Sequence, residues 1–227
     1  MAVFDLAQQP LRELNRTLHD LPEETNETHW KIANPMGLHN IAVGLDRPIT
    51  VEIEGHVGYY CAGMNQQAEV LVNGNCGQGV AENMMSGRVV VRGNASQSAG
   101  ATAHGGLLVI EGDAAARCGI SLKGGDIVVK GSVGHMSAFM AQAGRIVVCG
   151  DAGEYLGDSL YEARIYVRGK VSQLGADCVE KEMEAAHLEE LRDLLGAAGV
   201  KADPADFRRY GSARNLYHFN VDKMDSY

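Results

Sequence analysis

The chain lacks most of the usual carriers of chemistry. No stretch of about 18 apolar residues occurs, so no segment is a candidate for a membrane-spanning helix. Positive charge is short: 20 Lys and Arg against 29 Asp and Glu give a net charge of −9. That balance argues against a nucleic-acid partner, because neutralising phosphates requires a basic stripe. The five cysteines, Cys61, Cys76, Cys118, Cys149 and Cys178, include no pair at the spacing of a zinc or redox motif. There is no Gly-Lys-Ser/Thr phosphate loop, and a start at Met1 or Ala2 offers no N-terminal cysteine or threonine nucleophile. The opening MAVFDLAQQPLRELN lacks the basic and apolar regions of an export signal. With an odd cysteine count, this predicts a cytoplasmic protein whose reduced thiols are small buried hydrophobes. The Asn-x-Ser/Thr sequons at Asn15, Asn26 and Asn94 are irrelevant for the same reason.

What the chain has in excess is glycine, 28 against 5 prolines. The strings TVEIEG, EVLVNG, RVVVRG, LLVIEG, DIVVKG, RIVVCG and RIYVRG close on Gly55, Gly74, Gly93, Gly112, Gly131, Gly150 and Gly169, 19 residues apart six times running. A fixed period near 20 is the signature of a solenoid. At three and seven residues after each closing glycine every position is Gly, Ala or Ser, from Gly58 and Ala62 to Ser172 and Ala176. At thirteen after stand Ala68, Gly87, Gly106, Gly125, Gly144 and Ala163. Small residues at fixed slots predict bends that need positive φ or a close backbone approach.

The residues before each glycine alternate with period two. At two and four before, every position is Val, Ile or Leu, from Val51 and Ile53 to Ile165 and Val167, which predicts stacked interior ladders. The fold class is therefore an all-β solenoid, a single-stranded right-handed parallel β-helix of about seven 19-residue turns. At roughly 4.8 Å per strand it is roughly 30 Å long, and its handedness follows that of parallel crossovers. Residues 1–48 form an N-terminal helical and extended arm, with Leu11, Leu14, Leu18 and Leu21 at helical spacing after Pro10. Residues 49–178 are the β-helix. Residues 179–227 hold a second helix, with Val179, Met183, Leu191 and Leu194 to one side, and an aromatic and basic tail.

Two surfaces call for a partner. Three residues before each glycine stand Glu52, Leu71, Val90, Val109, Val128, Val147 and Tyr166, an outward strip that must be covered by the chain's own helix or by another polypeptide. The tail carries Phe207, Tyr210, Tyr217, Phe219 and Tyr227 with Arg208, Arg209 and Arg214. Aromatics and arginine mark interface centres, so this reading puts the tail on a partner chain rather than back on the solenoid.

The search for catalysis leaves little. The run from Gly150 to Gly157 follows a strand like a phosphate loop, but its glycines recur in every copy. His56, His104 and His135 fall at different places around the turn, which does not suit a shared metal site. CAGMNQQ, AENMMSG and AFMAQAG set methionines beside amides on one edge: corner packing, or an edge facing a partner's active site or an ammonia path. A β-helix enzyme would need inserted loops to build a cleft, and no turn here exceeds 19 residues. No catalytic, cofactor-binding or metal residue is assigned to this chain.

The strings MMSGRVVVRG and VGHMSAFMAQAGRIVVCGDAGEYLGDSLYEARIYV resemble the C-terminal glycine-repeat (GXGXG) β-helix domain of the glutamate synthase large subunit, over most of 49–176. With its LRELN start and RYGSAR tail, the chain is most similar to the stand-alone β-helix subunit of N-methylglutamate synthase. Split archaeal glutamate synthases and formylmethanofuran dehydrogenase have subunits with the same repeat. The resemblance implies a non-catalytic structural subunit of a heteromeric complex. Its partners would be a glutamine amidotransferase subunit and a flavin and iron–sulfur synthase subunit, which would hold the FMN and the clusters.

Overall fold

The computed structural model describes residues 1–214. The chain begins with β1 (Ala2–Asp5), α1 (Leu11–His19) and β2 (His29–Ala33). There follow β3 (Thr50–Glu54), β4 (Glu69–Val72), β5 (Arg88–Val91), β6 (Leu107–Ile110), β7 (Lys123–Val129), β8 (Ala143–Val148) and β9 (Arg164–Val167). These last seven are the strands expected from the glycine period. Their register pairs Val51 with Val70, Val70 with Val89, Val89 with Leu108, and so on, each partner one repeat ahead. All the strands from β1 to β9 are parallel neighbours in chain order. The solenoid thus starts earlier than the period does: β2 pairs with β3 and β1 with β2. The spacing of these two turns is longer, which hides them from a search at 19 residues.

Inside, the two predicted ladders are fully buried, from Val51 and Ile53 to Ile165 and Val167. A second line of contact runs up the opposite wall as single bridges from Val57 through Cys76, Ala95, Ala114, Val133 and Ala152 to Val171. Between the walls the backbone alternates into the left-handed region. Tyr60, Ala62 and Met64 have φ of 60, 54 and 56°, and the same slots repeat in the following turns. Each such residue costs about 1–2 kcal/mol of strain. Inter-turn hydrogen bonds offset it: the Tyr60 N–H donates forward to Gln78 O (2.8 Å), Ala62 N–H back to Ile41 O (3.0 Å) and Met64 N–H forward to Glu82 O (2.8 Å).

The small-residue slots divide into two kinds. Gly87, Gly106, Gly125 and Gly144, thirteen after a closing glycine, have φ of 75–92° and need the missing side chain for conformation. The closing glycines from Gly74 onward do not have positive φ. They are small because the turn beneath is too near: a Cβ on Gly74 would lie 2.5 Å from the carbonyl of Gly55.

The flanking segments close what the solenoid leaves open. Leu14 and Leu18 of α1 are buried in the main core. After β9 come β10 (Cys178–Lys181), α2 (Ala185–Ala197), a 3-10 turn (Pro204–Asp206) and β11 (Arg208–Ser212). Helix α2 begins later than the sequence spacing predicts, because Val179 lies on β10 opposite Gly211, leaving Leu191, Leu194 and Leu195 as its buried face. That face packs on Val90, Val109, Val128, Val147 and Tyr166, so the chain covers the outward strip itself.

The tail corrects the partner-docking expectation. Strand β11 pairs antiparallel with β9 and, on its other side, with β10. Phe207 joins the strip cluster and Tyr210 the main core, 4% and 2% exposed. The two aromatics nearest α2 therefore belong to the chain's own packing, since only there do they leave water completely. Tyr217, Phe219 and Tyr227 lie outside the described residues. Among the described residues no helix is long and apolar enough to cross a membrane.

Candidate functional site

The residue after each closing glycine builds a ladder along one corner. His56 Nδ1 accepts from Asn75 N–H (2.9 Å), Asn75 Oδ1 from Asn94 N–H (2.8 Å), and Asn94 Oδ1 from Asp113 N–H (2.8 Å). Asp113 Oδ1 then accepts from Ser132 N–H (2.8 Å), Ser132 Oγ from Asp151 N–H (3.0 Å), and Asp151 Oδ1 from Lys170 N–H (2.7 Å). His56 is thus a rung of a structural ladder. His135 lies on another line, edge to face with Tyr155 at 5.4 Å, and His104 is exposed. The structure does not bring the three together. Among the described residues no group of three or more His, Cys, Asp or Glu could hold a metal ion.

The cysteines are buried and unpaired. Cys61 and Cys118 share the interior column of Val80, Ala99, Ser137 and Leu156, and Cys76 that of Val57 and Ala95. Desolvation pushes the thiols of Cys61 and Cys118 up to about 12 and that of Cys178 up to about 11, with Asp158 adding to the last. A buried thiol held protonated is a poor nucleophile. The phosphate-loop reading of the Gly150 run meets a similar obstacle. Its amides already serve the neighbouring turns: Ala152 N–H donates to Lys170 O (2.8 Å), Gly153 N–H to Val133 O (2.9 Å) and Gly157 N–H to Ser137 O (2.9 Å). The amides of the Gly150 run are therefore not free to cradle a phosphate.

The methionine and amide edge coincides with the left-handed tract. Met64 and Met140 sit at its third slot with φ of 56 and 53°. Tyr59, Met64, Met85, Met140, Tyr155 and Tyr161 are all at least 39% exposed. Beside them a hydrogen-bonded line crosses turns: Thr102 Oγ1–H donates to Asn83 Oδ1 (2.6 Å), and Asn83 Nδ2 to the Tyr60 hydroxyl (3.3 Å). Sequence inspection missed Asn15, which caps this tract at its first turn. Its Nδ2 donates to Asn40 O (2.8 Å) and its Oδ1 accepts from Ala42 N–H (3.0 Å), standing in for a preceding turn. Only the recurring slot could have signalled it, and α1 interrupts the recurrence.

Helix α2 is held by more than apolar contact. Glu190 receives two hydrogen bonds from Arg164 (3.0 and 2.7 Å) and one from the Tyr166 hydroxyl (2.6 Å), with Arg145 at 3.5 Å. Burial raises the Glu190 pKa, but the bonds from Tyr166 and Arg164 and the charges of Arg164 and Arg145 outweigh it, so it stays below the usual carboxylate value. Near this anchor an open cleft of about 650 Å³ lies at the C-terminal end, lined by Tyr161, Glu162, Arg164, Lys181, Arg209 and Arg214 among others. A second groove of about 390 Å³ runs past the C-terminus of α2 over Leu71, Val90 and Val109.

No family profile matches the chain. It is similar to Protein GlxC of Rhizobium meliloti (strain 1021), 60% identical over 228 residues that span 100% of both chains. The β-solenoid geometry fits the glycine-repeat subunits that the sequence resembles. At that identity across the whole length, the chain belongs to the family of Protein GlxC.

Proposed function

We propose that this chain is a non-catalytic structural subunit of a cytoplasmic, heteromeric glutamate-synthase-like complex. The most specific reading is N-methylglutamate synthase, which forms N-methyl-L-glutamate and ammonia from methylamine and L-glutamate. In this reading glutamine hydrolysis and the flavin and iron–sulfur chemistry belong to partner subunits, an amidotransferase and a synthase, which this chain organises. The observation that carries it is the use to which the polar groups are put. Corner histidine, asparagine and aspartate side chains, and the amides of the glycine-rich loop, are engaged in holding one turn to the next. Such a body offers shape and rigidity. The exposed Met and Tyr edge, of residue types enriched at interface cores, is the surface proposed to meet a partner.

The test is purification of the tagged chain from its native host. The expected result is stoichiometric recovery of an amidotransferase and a flavin and iron–sulfur synthase, with formation of N-methylglutamate by the assembly. Met64→Glu with Met140→Glu should weaken recovery while leaving the chain folded. Recovery with molybdopterin subunits would move the assignment to a formylmethanofuran dehydrogenase. A monomer carrying its own stoichiometric flavin would overturn the reading.

A further inference from the structure

Strands β10 and β11 put two positive charges face to face. Lys181 and Arg209 are direct register partners across the antiparallel pair, an arrangement of like charges that destabilises a sheet. The neighbouring arginines have acids to meet: Arg208 pairs with Glu180 and Arg214 with Asp177. Arg209 instead gives Nε and Nη2 to the carbonyl oxygen of Glu182 at 2.9 and 2.7 Å, which neutralises nothing. Among the described residues no carboxylate forms an ion pair with Lys181 or Arg209. Among the described residues the pair is thus left without an acidic partner, an arrangement suited to a bound anion.

The pair opens onto the cleft of about 650 Å³ already described, a volume within the range of about 300–1,000 Å³ typical of small-ligand sites. Further donors line it. Arg164 and Arg214 stand on its wall, the side chains 40% and 56% exposed despite their ion pairs. Ser212 and Tyr161 bring hydroxyls. The Ser212 Oγ accepts from Arg214 N–H at 3.2 Å, so its proton remains to be donated. We propose that this cleft binds an oxyanion, the carboxylate or phosphate group of a small molecule, between Lys181 and Arg209. Ammonium and guanidinium donors make charge-assisted bonds to such groups, stronger than neutral ones.

The site lies within one chain, so its test needs no partner subunit and is independent of the assembly reading. The full chain is titrated calorimetrically with succinate and, separately, with inorganic phosphate, at low and constant ionic strength. One saturable site for either anion is expected, and the anion that binds identifies the group. Lys181→Gln or Arg209→Gln should weaken that binding about ten- to hundredfold, as loss of a charge-assisted hydrogen bond implies. Without anion, Lys181→Gln should melt no lower than the parent, because it relieves repulsion; a lower melt would mean that the lysine is already neutralised within the chain and would overturn the proposal. So would the absence of saturable binding by both anions, or unchanged affinity in both variants.

Discussion

A single methyl group at Gly131 tests why the glycines repeat. In Gly131→Ala the new Cβ would stand 2.7 Å from the carbonyl oxygen and 2.9 Å from the carbonyl carbon of Gly112, and would press on Asp113 Oδ1. The first two are backbone atoms of the turn beneath, and the third is fixed by its bond from Ser132 N–H at 2.8 Å. Normal contacts to carbon lie near 3.5 Å or beyond, so the turn must yield by roughly half an ångström or more. Such overpacking costs about 1–3 kcal/mol, and loss of the ladder bond adds about 1 kcal/mol. The stiffer unfolded chain of the alanine variant returns about 0.4–1 kcal/mol. The net loss is about 1–3 kcal/mol, which for a chain of this length lowers the melting temperature by about 2–12 °C. Gly196→Ala is the matched control: it lies on α2 with no atom within 4 Å of the added Cβ, and should gain up to about 1 kcal/mol from helix propensity. Calorimetric melts of both variants decide it. If Gly131→Ala melts at or above the parent, close approach between turns is not what selects glycine there.

Three further outcomes are expected. Glu190→Gln should cost about 1–3 kcal/mol, since the charge-assisted bonds from Arg164 and Tyr166 lose their anion; the parent should lose the same contribution on acidification. The sign follows from the depressed pKa: the stabilisation is complete above the unfolded carboxyl's pKa and disappears as pH falls through the lower folded one. Urea melts of parent and variant should therefore converge at low pH, and a constant gap would refute the assignment. Asn15→Leu should cost about 1–3 kcal/mol by leaving the buried Ala42 N–H without an acceptor, and amide exchange at Ala42 should speed up; unchanged exchange would exclude the capping role. Truncation after Asp203 removes Phe207 and Tyr210, whose burial stabilises by about 1.5–3 kcal/mol each. It should lower the melting temperature markedly before any partner is added, and an unshifted melt would return the tail to the partner-docking reading.

The seven 19-residue turns were legible because each repeat states the same constraint seven times: a buried Val, Ile or Leu at two fixed slots and a small residue where turns nearly touch. The two earlier strands, β1 and β2, were not, because their spacing is longer. The physical cause of the smallness was not legible. A glycine excluded by a carbonyl 2.5 Å away and one required by a φ of 81° look the same in a sequence. Helix α2 was visible as apolar spacing, but its start was not, because Val179 and Met183 fit a helical stripe as well as they fit the β10 region. The tail misled for a related reason. Phe207 and Tyr210 have the composition of an interface, and they do form one, but with the chain's own strip and core, and composition does not say whose surface is covered. The cation pair of Lys181 and Arg209 is invisible in sequence, since only the β10–β11 register makes residues 28 positions apart face each other.

An open parallel solenoid has three liabilities: an apolar outer face and two unfinished ends. Here the flanks answer each one. Helix α2 and Phe207 cover the face, α1 with Asn15 closes the first turn, and β11 caps the last strand. The exposed large apolar residues that remain are correspondingly localised. Apart from Met1, Val3, Met36 and Val179, those among the described residues fall between 4 and 11 positions after a closing glycine, on the left-handed edge. That backbone is pinned from both sides, Tyr60 and Met64 forward and Ala62 back, so its side chains stand on a scaffold that loses little further backbone freedom when a partner arrives. Binding costs fall when a surface is pre-ordered. Under the proposed assembly this pinned, exposed edge is the surface assigned to a partner, so the test places its substitutions at Met64 and Met140 rather than on the strip that α2 already occupies.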